Sequence, residues 1–156
     1  MSVDNNKEIV RRLINILNSR DLSKMDEVCD QQMVYRTGSG DEYPGLDNYR
    51  QAIEASFEAF PDLEFSIEEL LAEGAKVHMV YTMTGTHSGE YLGISPSHRS
   101  IVHRASSLIT IDNSKVVEQV DYYDWLEFLR QLGAVSEEVR PGGDEWPAGG
   151  AVLRVR

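Results

Sequence analysis

The sequence predicts one α+β domain in which helices cover one face of a curved antiparallel sheet. Apolar residues recur at helical spacing in the first 60 residues, whereas four runs between residues 63 and 124 are rich in strand-forming residues. Short turns join these runs in pairs, and consecutive long strands joined by tight turns must pair antiparallel. Helices that precede a block of strands in this way are typical of the α+β class.

Three helices are predicted before the sheet, each beginning at a polar residue. Asn5, with Glu8 three residues later, fits the start of the first helix. Asp21 is the expected N-cap of a short second helix, and Asp47 is that of a third helix, which ends before Pro61.

Five strands and a final helix are expected. A short strand at residues 33–37 precedes a loop at 38–46 that contains glycine and proline, and residues 112–115 are short enough for a hairpin turn. The longer strands are predicted at residues 63–72, 76–87, 99–111 and 115–124, and the last helix at 125–132.

The folded domain is expected to span residues 1–135, followed by a tail at 136–156. The Gly and Pro content of the tail argues against a regular element. Disorder is one interpretation, and docking of its apolar side chains on the domain or on a neighbouring subunit is the other. These apolar side chains are Trp146, Val152, Leu153 and Val155.

The composition argues against nucleic acid and membrane as partners. Of the 156 residues, 26 are acidic and 15 are basic, which gives a formal charge of −11. Such a field repels nucleic acid and anionic lipid, which bind to clustered Lys and Arg. No apolar run approaches the roughly 20 residues that span a bilayer, and the N-terminus lacks the pattern of a signal peptide, so we expect a cytoplasmic protein.

The cysteine and histidine content predicts no metal site. The single cysteine, Cys29, excludes an intrachain disulfide and a site with several thiolates. We expect its thiol to be buried on the apolar face of the second helix. The four histidines show no His-Glu-x-x-His spacing.

Three stretches together resemble a known family. Residues 84–99, "TGTHSGEYLGISPSHR", are similar to the Gly-Thr-His…Gly-Ile-x-Pro-x-x-Arg signature of the SnoaL-like polyketide cyclases, and residues 115–133 resemble their closing strand and helix. Residues 60–65, "FPDLEF", resemble their helix-to-strand junction. The resemblance implies a nuclear-transport-factor-2-like fold, in which a strongly bent, cone-shaped sheet and N-terminal helices enclose a pocket.

The resemblance also implies a reaction. Cyclases of this family close a ring in a hydrophobic polyketide by intramolecular aldol condensation, without metal or cofactor. Asp124 stands where they have their acid/base aspartate, and His87 stands in the Gly-Thr-His motif. Arg36 and Val120 replace a His and a Trp that many members have, which puts the substrate in doubt more than the fold.

An aldol closure requires a base for an acidic C–H and a donor for the resulting enolate, and a buried carboxylate has a pKa raised toward the working pH. Alternation along a strand places Asp124 on the same face as Val120 and Tyr122, and Asp121 on the opposite face. If the face of Val120 points into the cone, Asp124 is the buried acid and Asp121 faces out. The alternative is that Asp124 is the exposed N-cap of the last helix.

The expected substrate-binding residues are Arg36, Met79, Tyr81, Met83, His103, Val120 and Tyr122. Met79, Tyr81 and Met83 share a strand face that suits a flat polycyclic substrate, or else the core. His87 is expected to donate to the enolate oxygen, or else to be a loop histidine. Arg36 could pair with a substrate carboxylate or ester carbonyl, or else form a surface ion pair. His103 could instead be a hydrogen-bonded sheet histidine.

Other functions fit the same fold, because a fold does not fix function. A cofactor-free hydroxylase, an epoxide hydrolase or isomerase, and a non-catalytic small-molecule binding module all remain open. We also expect a homodimer or homotetramer, because residues 102–111 mix polar and apolar side chains in a way that suits a contact between sheets.

Overall fold

Six strands form one curved sheet in the computed structural model, which describes residues 2–135. The elements in chain order are α1 (Val3–Ser19), a 3-10 helix (Leu22–Glu27), β1 (Cys29–Thr37), β2 (Glu42–Pro44), α2 (Leu46–Ala59), β3 (Glu64–Glu73), β4 (Lys76–Thr86), β5 (Ser100–Asp112), β6 (Lys115–Tyr123) and α3 (Trp125–Leu132). The strand order is β2-β1-β6-β5-β4-β3, so the sheet is open, with β2 and β3 at its edges. Neighbouring strands pair antiparallel, except that β1 and β6 are parallel.

The helices pack on one face of this sheet, which we call the inner face. Helix α1 lies on β3 and β4, α2 on β1, and α3 on β5. Apolar side chains of α1, such as Val10 and Leu13, share one buried core with Val77 and Met79 of β4. The predicted α+β class and the cone-shaped sheet with N-terminal helices are therefore confirmed. No helix among residues 2–135 has the length and apolar character needed to cross a membrane.

The predicted helices are present, but the first and third begin elsewhere than expected. Ser2, and not Asn5, caps α1, with its side chain accepting from the Asn5 backbone N–H at 3.2 Å. Gly45, at a φ of 89°, occupies the N-cap position of α2, and Asp47 lies inside the first turn. Asp21 does precede the 3-10 helix, although its side chain makes no capping hydrogen bond there.

The first strand is longer than the sequence predicted. It begins at Cys29, which was expected on a helix, and a second short strand, Glu42–Pro44, lies within the predicted loop. The thiol of Cys29 is buried as predicted, and burial raises its pKa to about 12. A thiol held protonated in this way is a packing group.

The four long strands and the last helix agree with the prediction to within a residue or two. Asn113 and Ser114 form the turn between β5 and β6, with φ of 47° and 64°. The predicted tail, including its apolar side chains, lies outside the described residues, so the proposed division at residue 135 stays a prediction.

A bulge in the hairpin between β5 and β6 decides which side chains face inward. Near the turn, Ile111 pairs with Val116, whereas the next pair is Thr110 with Glu118. One extra residue, Val117, therefore lies on β6 at this point. A single inserted residue moves every later side chain of the strand to the opposite face.

The burial of β6 shows this change of face. Val116 is buried next to the turn, but beyond the bulge the buried residues are Gln119 and Asp121. Val120 is half-buried and Tyr122 is exposed on the opposite, outer face. The predicted orientation of β6 is therefore wrong from the bulge onward.

Candidate active site

A cavity of about 420 Å³ lies between the inner face and the helices. Apolar and aromatic side chains form most of its wall, including the predicted Met79, Tyr81 and Met83. His103 and Asp121 also line it. Among residues 2–135, no three or more His, Cys, Asp or Glu side chains are placed to hold a metal ion.

Asp121 is the charged group at the centre of the inner face. Its side chain is 4% exposed. Its Oδ1 accepts from Ser107 Oγ at 2.5 Å and from Gln119 Nε2 at 2.9 Å. Its Oδ2 accepts from the Tyr123 hydroxyl at 2.7 Å. We call these four residues the Asp121 cluster.

A second layer of tyrosines holds the Asp121 cluster in place. The Tyr49 hydroxyl donates to Gln119 Oε1 at 3.2 Å, which leaves the Gln119 Nε2 amide facing Asp121. The hydroxyls of Tyr81 and Tyr123 are 3.5 Å apart. Tyr35 also lines the cavity, and its ring centroid lies 5.1 Å from that of Tyr49.

Burial and hydrogen bonding act in opposite directions on Asp121. Removal from water raises the pKa of its carboxyl, and the donors around it, which favour the charged form, only partly offset this. The pKa values of Tyr81 and Tyr123 are raised in turn by burial and by the nearby Asp121 charge. The site therefore combines a carboxyl able to exchange a proton with neutral phenol donors.

Asp124 is not the buried acid that was expected. It is exposed, and its Oδ1 accepts from the Glu127 backbone N–H at 2.9 Å, so it is the N-cap of α3. Its predicted neighbours Val120 and Tyr122 face outward and do not line the cavity. The reason is the bulge at Val117, which reverses the alternation before the strand reaches these residues.

Arg36 also lies outside the cavity. It forms ion pairs with Glu118 and with Glu42, the latter at 2.7 Å from Nε to Oε1. Its neighbour Tyr35 lines the cavity instead. The predicted contact of Arg36 with substrate is thus replaced by the surface ion pairs that were its alternative.

His87 is fully buried but does not line the cavity. Its Nδ1 lies 3.1 Å from both the backbone N and the Oγ of Ser97, and its ring stacks on Phe60 at 5.2 Å. Because Ser97 N–H can only donate, Nδ1 is an acceptor, and burial lowers the pKa of His87 so that the neutral form is favoured. The expected direct contact with an enolate is therefore not present.

The rest of the signature segment also makes structural contacts. The Gly89 backbone N–H donates to Ala59 O at 3.0 Å, and a Cβ on Gly89 would lie 2.5 Å from Glu58 O. The Arg99 guanidinium packs on Gly133, where a Cβ would be 2.8 Å from Arg99 Cζ. These residues fasten the loop to the ends of α2 and α3.

His103 lies on the inner face of β5 and is 2% exposed. Its ring stacks near Tyr123 at 6.0 Å and meets the Phe128 ring edge-on at 5.2 Å. Its Nε2 has no hydrogen-bond partner among the described residues. Burial lowers the pKa of His103, with Asp124 and Glu127 acting against this.

The sequence reasoning missed Tyr35, Tyr49, Ser107, Gln119 and Tyr123 as site residues. One available signal was Asp124 followed by Glu127 at the start of a helix, which is the spacing of a capping pair. Assigning Asp124 to the cap would have left Asp121 as the acid on the strand.

A bent sheet with helices on its inner face, around an apolar cavity, is the architecture of the nuclear-transport-factor-2-like fold. The chain belongs to the SnoaL-like polyketide cyclase family, whose model matches residues 7–132. The resemblance found in the sequence is thereby confirmed.

Solved structures are similar in fold. A candidate SnoaL-like polyketide cyclase from Jannaschia sp. CCS1 is similar with a TM-score of 0.79 and 24% identity, over 85% of this chain and 94% of that one. AclR, a candidate hydroxylase from Streptomyces galilaeus, has a TM-score of 0.78 and 25% identity, over 87% and 85%. IdmH, a candidate polyketide cyclase from Streptomyces antibioticus, has a TM-score of 0.71 and 23% identity, over 82% and 98%. A search of curated proteins found no match.

Proposed function

We propose that this protein is a cofactor-independent polyketide cyclase that closes a ring by intramolecular aldol condensation, with Asp121 as the acid/base group. The observation that carries the proposal is a buried carboxyl with a raised pKa, on the wall of a largely apolar cavity. In its charged form, a carboxylate with a raised pKa is a stronger base than an ordinary one toward a proton on carbon next to a carbonyl.

One group, Asp121, both removes and returns the proton in this mechanism. Asp121 takes the proton from the substrate carbon, and the resulting enolate carbon attacks a second carbonyl of the same molecule. A C–C bond forms, the attacked carbonyl becomes an alkoxide, and Asp121 returns its proton to that oxygen. The mass of the molecule is unchanged, so this step calls for no redox partner.

The hydrogen bonds indicate which oxygen does this work. A carboxylate oxygen has about two lone pairs, and Oδ1 of Asp121 already accepts from Ser107 and Gln119. The transferred proton is therefore assigned to Oδ2. Tyr123, which donates to Oδ2, fixes its orientation.

The phenols on the cavity wall are suited to stabilise the enolate. Tyr35 and Tyr81 line the cavity, and burial raises the pKa of each above its ordinary value. They thus remain neutral donors at working pH, and donors fixed where charge develops lower the barrier without reorganisation.

The test is to incubate the protein, without added cofactor, with a panel of anthraquinone-type polyketide methyl esters and to measure product mass and absorbance. Ring closure leaves the mass unchanged and shifts the absorbance. Asp121→Asn should reduce the rate by about 10²–10⁴-fold, the usual contribution of a general acid/base. Asp124→Asn is the matched control and should retain the rate. Loss of activity in Asp124→Asn alone would overturn the assignment.

A second candidate function is cofactor-free hydroxylation, which the similarity to AclR favours. The same base would form the same carbanion, dissolved dioxygen would add to it as a hydroperoxide, and loss of water would leave a product with one more oxygen and two fewer hydrogens in the mass measurement. Gain of one water would indicate hydrolase chemistry instead. No product, together with saturable binding of the esters, would indicate a binding module.

A homodimer or homotetramer remains a proposal that rests on the outer face of the sheet. Val102 and Tyr122 are 65% and 49% exposed on this face. Exposed apolar groups of this kind are common at contacts between subunits. Light scattering after gel filtration should give a dimer or larger mass that Val102→Glu reduces, and a strict monomer for the unmodified protein would contradict the proposal.

A further inference from the structure

The inner face of the sheet presents its cavity side chains in rows that run across β4, β5 and β6. The rows, in order along β5, are Met79–Ser107–Asp121, Tyr81–Ala105–Tyr123 and Met83–His103. The first row holds the Asp121 cluster, and the third row lies next to Trp125 and Phe128 of α3. These rows therefore place two polar groups, Asp121 and His103, on either side of a tyrosine row.

The two positions are separated by a distance that suits a fused-ring molecule. His103 and Ser107 are four residues apart on one strand, and a strand rises about 3.3 Å per residue, so their Cα atoms are roughly 13 Å apart. Three linear fused six-membered rings are shorter than this, which leaves room for a side chain and a hydrogen bond at each end. A planar polycycle with its reacting carbons at Asp121 would place its far ring beside His103.

His103 is the polar group in this wall that is left unsatisfied. His103 is only 2% exposed and it lines the cavity. Its Nε2 has no hydrogen-bond partner among the described residues. A buried polar atom without a partner is costly, and such atoms are usually satisfied by water or ligand. In contrast, each Asp121 oxygen already accepts at least one hydrogen bond.

The charges in the wall restrict what His103 could meet. The charged residues that line the cavity are Asp41 and Asp121, and no Lys or Arg is among the lining residues. An anionic ligand group would find no counter-ion, whereas a neutral hydroxyl or carbonyl requires only a hydrogen bond. Burial disfavours the charged imidazole as well.

We propose that His103 is a specificity residue that hydrogen-bonds a neutral hydroxyl on the ring of a planar polycyclic substrate farthest from the reacting carbons. The placement of the reacting carbons of the substrate at Asp121 rests on the proposed function. Recognition of the hydroxyl by His103 can be measured by binding alone, without turnover.

The experiment compares two probes of similar shape, 2-hydroxyanthraquinone and 2-methylanthraquinone. Binding is followed by quenching of Trp125, which lines the cavity, in a Trp146→Phe background so that Trp125 is the sole tryptophan. The protein should prefer the hydroxyl probe on the order of tenfold, as expected for one hydrogen bond to a buried group. In His103→Leu the preference should fall to about one, with little change for the methyl probe.

His78→Leu, on the opposite face of β4, is the matched control and should keep the preference. A second measurement uses the unmodified imidazole: the ¹⁵N shift of His103 Nε2 should move with the hydroxyl probe and not with the methyl probe. A preference that persists in His103→Leu, or equal shifts with both probes, would overturn the proposal. Asp121→Asn should retain the preference, so failure of the aldol mechanism and failure of this inference give different results.

Discussion

The loop that joins β4 and β5 and the Asp121 cluster use polar residues in opposite ways. In the loop, His87 and Ser97 bond to each other, and Gly89 bonds to the end of α2. In the cluster, the polar groups converge on Asp121 at the wall of a cavity. The polar groups of the 84–99 segment thus make structural contacts in this chain, whereas the chemistry that we propose lies on β5 and β6.

The largest expected effect on stability comes from the loop. Gly89→Ala would place a Cβ 2.5 Å from the backbone oxygen of Glu58, which cannot move as a side chain could. Such overpacking costs about 1–3 kcal/mol, or a fall in Tm of roughly 3–12 °C for a domain of this size.

Thermal unfolding followed by circular dichroism measures this effect. Ser88→Ala, at the exposed neighbouring position, is the control and should change Tm by no more than about 2 °C. If Gly89→Ala were as stable as its control, the close contact between Gly89 and the end of α2 would be contradicted.

Only part of the fold and of the candidate site could be predicted from the sequence. Strand lengths, the hairpin turn at Asn113 and the last helix followed from alternation and turn chemistry, because those signals are local. The face of β6 did not, since Val117 resembles any strand residue and its extra position shows only when β5 and β6 are paired. The assignment of Asp124 as the acid came from the family resemblance and depended on the face of Val120 pointing into the cone, whereas the structure places Gln119 and Asp121 on that side.

The contacts of the loop should stabilise the fold, whereas the charged form of Asp121 in the cluster should destabilise it as the pH rises. Burial raises the pKa of Asp121 in the folded protein, so its favourable contribution is fully present below the unfolded pKa near 3.8 and is lost as pH rises through the folded value. Asn does not titrate. The Tm of Asp121→Asn minus the Tm of the unmodified protein should therefore increase by a few degrees between about pH 4 and pH 8. A difference that stays constant with pH would contradict the raised pKa.

Asp124 should behave as a cap and not as a member of the cluster. Asp124→Ala removes the acceptor for the Glu127 N–H, at a cost of about 1 kcal/mol. Tm should fall by roughly 3–4 °C, with the turnover rate of folded protein unchanged. Asp124→Ser, which retains a capping oxygen, should recover most of the loss; a rate that fell in both variants would place Asp124 in the chemistry after all.

The smallest effect is expected from Tyr49, which acts through Gln119. Tyr49→Phe removes the donor that orients the Gln119 amide, and a rotated amide would present its oxygen to Asp121. The pKa of Asp121 should then rise further, and the acid limb of the rate profile should move to higher pH, with a fall in rate of a few-fold. Gln119→Leu should give a similar shift, and unchanged profiles in both would exclude this positioning role.

The most direct test of the Asp121 assignment is to titrate its carboxyl by ¹³C NMR and to measure kcat/KM over the same pH range with a ring-closing substrate. Both curves should report one apparent pKa, above the ordinary value of 3.8. Activity should appear as Asp121 loses its proton. A carboxyl that titrates at or below 3.8, or a rate that does not follow the titration, would show that Asp121 is not the base.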